Sequence, residues 1–270
     1  MTTRTTAREV AAMSAGTAPR ARRLEPLSCP IDAITRQELL AELAAHIARR
    51  EPTTVLFVNV AKLVWARRDP ALRQALAQAD YVLADGQPLV WVSRLLGQPL
   101  PERIAGIDLM EDMLAAAAQK GWRVFFLGAR EPVLRQAIEN LTRRHIGLQV
   151  AGAHHGYFPA EETERVLEQI NRSNADLLLV ALGSPQKELW LMRYGPRLNV
   201  PLRQAVGGSF EIAAGHRRRA PAWLRRLGLE WFYRLLQDPR HLGWRYFYTN
   251  TVFLLLVTQA LLRRRRQRPR

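Results

Sequence analysis

Short apolar runs alternate with longer amphipathic segments through the central part of the chain. The apolar runs are Thr54–Val60, Tyr81–Ala84, Arg123–Leu127, Leu148–Ala151 and Leu177–Leu182. Helical periodicity covers Pro70–Ala79, Pro88–Leu96, Leu109–Lys120, Glu131–His145, Pro159–Ser173 and Gln186–Tyr194. Continuously apolar strands that alternate with helices are typical of a parallel sheet covered on both faces. The pattern predicts an α/β fold with a Rossmann-like parallel sheet.

The start of the chain has a different character. Residues 1–28 are rich in Thr, Ala and Arg without sustained periodicity, which indicates a flexible leader. Ordered structure is expected to begin near Pro30, with an amphipathic helix from Thr35 to Arg50. We therefore assign residues 29–215 to the Rossmann-like domain. Since the predicted strands and helices all lie within it, this domain is expected to fold without the residues that follow.

In sheets of this type, ligands bind beyond the carboxyl ends of the strands, in the loops that lead into helices. These loops contain most of the glycines and unusual polar residues of the chain. They are Asn59–Lys62, Asp85–Pro88, Gly128–Glu131, Gly152–Phe158 and Gly183–Lys187. We expect the functional site among them.

Residues 216–270 are rich in aromatic residues and arginine. Val252–Val257 is wholly apolar, and four consecutive arginines follow at Arg263–Arg266. The apolar stretch from Tyr246 to Leu262 contains polar residues and is shorter than the roughly 20 residues that a membrane-spanning helix needs. This composition favours a helical appendage that docks on the membrane surface, with aromatic residues at headgroup depth, over a spanning helix.

The net charge of +16 is concentrated in this last region. Its fourteen arginines against Glu230 and Asp238 supply +12 of the total. Such a surplus suggests nucleic acid, anionic lipid or a phosphorylated substrate as partner. A solvated arginine-rich end is the alternative, since the chain has only three lysines. Interleaving of the arginines with apolar and aromatic residues favours a binding role.

The number of cysteines and the N-terminal sequence indicate the cellular compartment of the protein. The chain has one cysteine, Cys29, so a disulfide framework is excluded, and no Cys/His cluster has the spacing of a metal site. We see no apolar segment with a cleavage site near the N-terminus. A reducing, cytoplasmic environment is therefore expected.

Asp85-Gly86 follows the apolar run Tyr81–Ala84. Asp-Gly is a common turn for conformational reasons alone, but at the end of a strand the carboxylate could act as a general base. The chain has no G-x-G-x-x-G after a strand, no P-loop and no Asp-x-Asp for a divalent ion. A nucleotide diphosphate would therefore be bound by backbone N–H groups, helix N-termini and arginines.

An ordered set of short motifs covers the chain from about Asn59 to Tyr246. They are Asn59, Ala79-Asp80, Asp85-Gly86, Pro101-Glu102-Arg103 with Gly106 and Asp108, Gly128, Gly152 with Gly156-Tyr157-Phe158, Gly183-Ser184-Pro185 with Glu188 and Trp190, Gly207-Gly208-Ser209-Phe210 with Ala214-Gly215, Arg219-Ala220-Pro221 with Trp223, Gly228-Leu229-Glu230-Trp231 with Tyr233-Arg234, Pro239-Arg240 and Arg245-Tyr246. In this order the set resembles the WecG/TagA/CpsF glycosyltransferases (glycosyltransferase family 26).

The resemblance implies an inverting, metal-independent transferase without a cofactor. Its donor would be a UDP-linked hexose, namely N-acetylmannosamine, its uronic acid or glucose, and its acceptor a polyprenyl-diphosphate-linked glycan for wall, capsule or exopolysaccharide. It also implies a peripheral or C-terminally anchored place at the cytoplasmic face of the inner membrane, on an anionic lipid surface. A homo-oligomer is compatible with it, and no nucleic acid is expected.

Carried over position by position, the resemblance implies a set of site residues. Asp85 is the candidate base, and Arg219 and Arg234 are candidate catalytic cations for the leaving diphosphate. Substrate-binding candidates are Asn59, Gly86, Arg103, Gly128, Gly156, Tyr157, Phe158, Gly183, Pro185, Gln186, Glu188, Gly208, Arg225 and Arg226.

Three positions depart from the family pattern. Phe57 stands where Thr is common, Gln186-Lys187 reverses the usual Lys-Gln, and Glu211 replaces Asp. Two other functions are compatible with the residues. One is a nucleic-acid-binding module that uses the basic tail, with aromatic side chains stacked on bases. The other is a catalytically inactive membrane scaffold.

Overall fold

The computed structural model describes residues 22–24 and 26–267. Its strands are β1 (Arg22–Leu24), β2 (Ile31–Ala33), β3 (Thr53–Val58), β4 (Tyr81–Ala84), β5 (Arg123–Gly128), β6 (Gln149–His154), β7 (Leu177–Ala181) and β8 (Leu202–Ala205). Its helices are α1 (Arg36–Arg49), α2 (Val60–Ala66), α3 (Pro70–Gln78), α4 (Gln87–Leu95), α5 (Gly106–Lys120), α6 (Glu131–Arg144), α7 (Thr163–Arg172), α8 (Gln186–Tyr194), α9 (Ser209–Ala213), α10 (Ala222–Arg226), α11 (Glu230–Gln237) and α12 (Pro239–Gln267).

Six strands form one parallel sheet in the order β4-β3-β8-β7-β5-β6. Alternate residues of a strand enter different apolar clusters: Leu56 and Val58 belong to one, Val55 and Phe57 to the other. Because side chains alternate across a strand, these clusters lie on opposite faces of the sheet. The predicted Rossmann-like α/β fold, with helices packed on both faces of a parallel sheet, is confirmed.

Strand β8, which lies in the middle of the sheet, is not among the predicted strands. Its residues Leu202–Ala205 are all buried and pair with β3 on one side and β7 on the other. Two of the four are polar: Arg203 donates to the carbonyl of Gly195, and Gln204 donates to that of Gly106 at 3.0 Å. A strand with two polar residues among four gives no apolar run, although each of these side chains donates to a carbonyl inside the protein.

A second difference concerns the loop expected at Asn59–Lys62. Strand β3 ends at Val58, and Asn59 is instead the N-cap of helix α2, with its side-chain oxygen accepting from the Lys62 backbone N–H at 3.1 Å. Asn is a favoured N-cap residue because its side chain satisfies a free N–H of the first turn. The predicted helix near the N-terminus is confirmed, with a capping box formed by Thr35 and Glu38.

Regular structure begins earlier than Pro30. Strand β1 pairs antiparallel with β2, and Leu24 is buried in the apolar core. The rest of the expected leader, residues 1–21 together with residue 25, lies outside the described residues. The boundary expected near residue 29 therefore falls within a small ordered hairpin.

The C-terminal residues form three helices, the last of which packs on the α/β domain. Helix α12 has 29 residues and lies against α2, where Phe253 and Val257 are buried in the core. The guanidinium of Arg245 lies 4.8 Å from the centre of the Trp65 ring. Among the helices of the described part of the chain, none is both long and apolar enough to span a bilayer.

Candidate active site at the carboxyl edge of the sheet

Asp85 lies directly after β4 and is held by the neighbouring strand. Its backbone N–H donates to the carbonyl of Val58 at the end of β3, at 2.8 Å. Gly86, the N-cap of α4, lies beside Asn59: a Cβ added at Gly86 would be 3.7 Å from the Asn59 Cα. The structure therefore brings the predicted residues Asn59, Asp85 and Gly86 together at the carboxyl edge.

Two lysines and one glutamate form a buried cluster at this edge. The ammonium groups of Lys62 and Lys187 lie 2.6 and 3.1 Å from the same carboxylate oxygen of Glu188, and Ser184 donates to the other oxygen at 3.0 Å. We call Lys62, Lys187 and Glu188 the lysine cluster. All three are buried.

The pKa values in the lysine cluster follow from burial and from the mutual charges. Burial lowers the pKa of Lys187 to about 8, and repulsion from Lys62 acts in the same direction; Glu188 and Asp85 oppose the shift. Burial opposes the ionisation of Glu188, but the two ammonium groups outweigh it and keep the pKa of Glu188 below its usual range. The cluster thus holds an ionised carboxylate between two cations.

Four arginines converge on two carboxylates where the C-terminal helices meet the domain. Arg219 lies 2.7 Å from Asp108, with Arg103 and Arg225 at 3.7 and 3.8 Å from the same carboxylate. Glu230 lies 3.3 Å from Arg103, 3.1 Å from Arg234 and 4.0 Å from Arg219. We call these six residues the arginine cluster. It has two more positive than negative charges.

Some donors of the arginine cluster are buried without a partner among the described residues. They are Nε and Nη2 of Arg219 and Nε of Arg225. A buried donor without an acceptor costs free energy, so a site that leaves several such donors is suited to an anion. Burial of Asp108 raises its pKa, but Arg219 and Arg103 outweigh this and hold that pKa below its usual range.

The charge of Asp85 acts on one member of the arginine cluster. The Arg234 side chain is 50% exposed; partial desolvation opposes its charge, but Glu230 and then Asp85 raise its pKa above its usual value. The turn before α11 packs on the helix that follows Asp85: a Cβ added at Gly228 would lie 2.8 Å from the Gln87 side chain. Asp85 therefore has cations from two sources in its electrostatic surroundings, Lys187 and Arg234.

The predicted glycines further along the sheet have a packing reason. A Cβ at Gly128 would lie 2.5 Å from the Ala181 backbone, and a Cβ at Gly156 would lie 2.9 Å from the Cα of Gly128. Tyr157 is exposed and lies under the guanidinium of Arg130, whereas Phe158 packs against the core. These residues are at the ends of β5 and β6, which β3, β8 and β7 separate from β4 in the sheet.

The remaining predicted residues lie in the loops and helices that follow β7 and β8. Gly183 and Pro185 precede α8, and the Gln186 side-chain oxygen would be 3.4 Å from a Cβ at Gly183. Gly208 faces open space, since a Cβ there would meet nothing within 4 Å. Glu188 is fully buried and contacts the two lysines. The side chain of Arg226 lies outside what the structure describes.

Four residues of these two clusters were absent from the predicted site: Lys62, Lys187, Asp108 and Glu230. Asp108 and Glu230 were part of the motif set but look like ordinary surface carboxylates in the sequence. The rarity of lysine in the composition could have indicated that Lys62 and Lys187 have a specific role. The chain has only three, and two of them meet on one buried carboxylate.

Within residues 22–24 and 26–267, no three His, Cys, Asp or Glu side chains are grouped as metal ligands would be. Cavities of 450, 400 and 310 Å³ lie away from Asp85. At the carboxyl edge, the Asp85 carboxylate has the charges of Lys187 and Arg234 in its electrostatic surroundings. Such an arrangement suits proton abstraction next to a group that gains negative charge.

A sequence model described as "Glycosyl transferase WecG/TagA/CpsF family" matches residues 24–267. The chain belongs to the WecG/TagA/CpsF glycosyltransferase family. As a member of it, the chain is an enzyme of the hexosyltransferase class.

Curated relatives share one printed name, N-acetylglucosaminyldiphosphoundecaprenol N-acetyl-beta-D-mannosaminyltransferase. The protein from Bacillus spizizenii is 39% identical over 174 residues, which are 64% of this chain and 67% of the relative. That from Bacillus subtilis (strain 168) is 34% identical over 72% of this chain and 75% of the relative. That from Staphylococcus aureus (strain MW2) is 32% identical over 82% of this chain and 87% of the relative.

Proposed function

We propose that this glycosyltransferase moves N-acetylmannosamine, or the related uronic acid or glucose, from a UDP-sugar to a polyprenyl-diphosphate-linked glycan, with inversion and without a metal ion. The observation that carries the proposal is that Asp85 directly follows β4 at the carboxyl edge, bonded through its backbone N–H to the end of β3, with the charges of Lys187 and Arg234 in its electrostatic surroundings. The names of the relatives favour N-acetylmannosamine as the sugar and an N-acetylglucosaminyl-diphospholipid as acceptor. The product would enter cell-surface polysaccharide.

The proposed reaction is a single displacement at the anomeric carbon of the donor sugar. Asp85 accepts the proton of the acceptor hydroxyl as its oxygen bonds to the anomeric carbon. The bond from that carbon to the diphosphate oxygen breaks on the opposite face, and UDP leaves with the bonding electrons. One displacement inverts the configuration, and the proton that the acceptor loses is found on Asp85.

The arginine cluster would take the role that a divalent ion has in other sugar-nucleotide enzymes. Negative charge develops on the diphosphate oxygen as its bond to the sugar breaks. Arg219 and Arg234 are fixed by Asp108 and Glu230, so these cations need little rearrangement when the charge appears. Arg103 and Arg225 share the same carboxylates and add to the excess positive charge.

Membrane docking at the cytoplasmic face is part of the proposal. Fifteen large apolar side chains of the described chain are exposed, and ten of them lie after residue 222; they include Trp223, Trp244, Phe247, Leu254 and Leu255. A cavity of 400 Å³ at the end of α12 is lined by Arg67, Arg263 and Arg264. Exposed apolar side chains beside arginines suit the headgroup region of an anionic bilayer.

The test is a UDP-release assay with a panel of UDP-sugars and a short-chain polyprenyl-diphosphate N-acetylglucosamine in detergent. We expect release with UDP-N-acetylmannosamine that depends on the acceptor and continues in excess EDTA. Loss of activity in EDTA that magnesium or manganese restores would refute metal independence. No release with any donor, together with salt-sensitive binding to DNA but not to anionic vesicles, would favour the nucleic-acid-binding alternative. Vesicle binding without turnover would favour the inactive scaffold.

A further inference from the structure

Helix α4 has apolar side chains on its outer face as well as on its buried face. Leu89, Val90 and Val92 are buried in the core, whereas Trp91 and Leu95 are 48% and 58% exposed. Because Trp91 and Leu95 are four residues apart, they lie one above the other on the same face of the helix. A helix that only packs on a sheet has polar residues on its outer face. Packing on the sheet therefore does not explain the exposed face of α4.

The exposed face of α4 begins near the proposed base and ends at the basic end of α12. Asp85 directly precedes Gly86, the N-cap of α4. At a rise of about 1.5 Å per residue, Trp91 and Leu95 lie roughly 8 and 14 Å along the helix from Gly86. At the far end, the guanidinium of Arg264 donates to the carbonyl of Leu95 at 2.6 Å. The exposed face thus leads from the catalytic edge to the arginines that are proposed to meet the membrane.

The turn between α10 and α11 brings a second pair of exposed apolar side chains to this face. A Cβ added at Gly228 would lie 2.8 Å from the Gln87 side chain and 3.2 Å from the ring of Trp91. Leu227, next to it in this turn, is 56% exposed, and Trp223 is 62% exposed. The Leu227 N–H donates to the Trp223 carbonyl at 3.1 Å, so these two residues are one helical turn apart. We call Trp91, Leu95, Trp223 and Leu227 the apolar stripe.

We propose that the apolar stripe binds the first isoprene units of the acceptor lipid. This inference rests on the proposed function, in which the acceptor is a polyprenyl-diphosphate-linked glycan whose hydroxyl faces Asp85. The sugar and the diphosphate lie between that hydroxyl and the chain, so the chain must start at a distance from the base. On α4 the stripe begins about one and a half turns after the N-cap. It also borders the arginine cluster, because Arg225 of α10 lies 3.8 Å from Asp108.

An open stripe suits this occupant. An isoprenoid chain has no hydrogen-bonding group, so its contact with aromatic and leucine side chains is driven by the removal of apolar surface from water. Most of a polyprenyl chain stays in the bilayer, so the enzyme needs to bind only the first units and to release them after transfer. An exposed surface beside the basic end of α12 meets both needs without a closed pocket.

The test compares N-acetylglucosaminyl-diphosphate acceptors with geranyl and farnesyl chains, without detergent or vesicles. We expect the parent enzyme to have a KM roughly tenfold lower for the farnesyl acceptor, because the added isoprene unit covers more of the stripe. The double substitution Trp91→Gln and Leu95→Gln should remove most of this preference. The KM for the UDP-sugar and the kcat at saturating acceptor should stay close to those of the parent enzyme. Since both side chains are exposed, the melting temperature should change little.

Two further variants make the comparison specific. Trp223→Gln with Leu227→Gln alters the other half of the stripe and should also reduce the preference for the farnesyl acceptor. Ile146→Gln is the matched control, because Ile146 is 90% exposed and lies before β6, at the opposite edge of the sheet from β4. It should leave the preference unchanged. If both double variants kept the preference but bound anionic vesicles more weakly, the stripe would be a membrane contact and the inference would be wrong.

Calorimetric binding of farnesyl and geranyl diphosphate gives a readout that does not need transfer. We expect the parent protein to bind the farnesyl compound more tightly and the Trp91 and Leu95 double variant to bind both equally. If that result were obtained with a parent protein that transfers no sugar, the proposed function would fail and the chain-binding stripe would stand. If the parent enzyme transferred sugar but showed no chain preference in either assay, only the inference would fail.

Discussion

At the scale of single residues, the backbone around Asp85 is fixed on both sides. Its N–H is bonded to Val58, and the Gly86 carbonyl accepts from Leu89 in the first turn of α4. Neither of these backbone hydrogen bonds involves the carboxylate. A substitution that keeps its shape tests the chemistry without disturbing the fold.

We expect Asp85→Asn to lower kcat by about two to four orders of magnitude, the usual range for loss of a general base, because the amide cannot accept the proton. Donor binding and the melting temperature should stay close to those of the parent protein. The measurement is UDP release, with UDP affinity by calorimetry. Glu162→Gln, at an exposed carboxylate, is the control. Full activity of a folded Asp85→Asn protein would rule out its role as base.

A neighbouring pair of arginines offers a matched comparison. Arg219 contacts Asp108 and Glu230, whereas Arg218 next to it is exposed. We expect Arg219→Gln to reduce kcat by roughly 10²- to 10³-fold, as loss of one charge-stabilising donor does. Arg218→Gln should change it little. Steady-state kinetics with UDP as a product inhibitor would show whether the substitution also lowers the affinity for UDP. Equal effects of the two substitutions would contradict a specific role for Arg219.

At the scale of elements, helix α12 has two apolar faces with different tasks. Thr249, Phe253 and Val257 are buried against the domain, while Leu254, Leu255 and Leu262 are exposed. A helix that needed only to pack on α2 would have a polar outer face. The exposed face is therefore the surface on which the proposed membrane docking can be tested.

We expect the double substitution Leu254→Gln and Leu255→Gln to weaken binding to anionic vesicles and to leave the melting temperature unchanged. Phe253→Ala is the contrasting variant. It should lower the free energy of unfolding by about 3–5 kcal/mol, the range for removing a buried phenyl ring. Vesicle co-sedimentation and denaturant unfolding measure the two effects. If the double Leu variant were less stable but bound vesicles as well as the parent protein, the outer face would serve folding and not membrane binding.

At the scale of the whole molecule, the C-terminal region has two roles: α12 packs on the α/β domain, and the arginines at its end carry positive charge. The sequence pattern predicts that a chain ending after Gly215 folds by itself. Phe253 and Val257 belong to the core and α12 covers α2, so that deletion would expose apolar surface on the domain. We now expect it to be unstable as well as inactive. A shorter deletion is the more informative one.

Ending the chain after Leu262 should weaken vesicle binding in a salt-dependent way, because each arginine contributes on the order of 1 kcal/mol at an anionic surface. Turnover on a soluble acceptor in detergent should be kept. A chain ending after Arg266 retains the four arginines and serves as the control. Loss of turnover in detergent from the shorter chain would mean that the arginines act in the site and not at the membrane.

Apolar periodicity in the sequence was sufficient to predict the α/β layers, because it records which face of each element is buried. Five of the six sheet strands and most helices followed from it. The motif set then indicated the family and Asp85. The arginine excess indicated anionic partners without assigning any arginine to a particular carboxylate.

Only the tertiary structure determined which residues and strands are neighbours. Strand β8 was hidden because two of its four residues, Arg203 and Gln204, are polar, and each donates to a backbone carbonyl inside the protein. The lysine cluster joins Lys62 from the start of α2 to Lys187 and Glu188 from α8, elements that only the order of the strands brings together. Local pattern encodes the burial of a residue, but a buried polar group's partner depends on long-range strand order, which no local pattern contains.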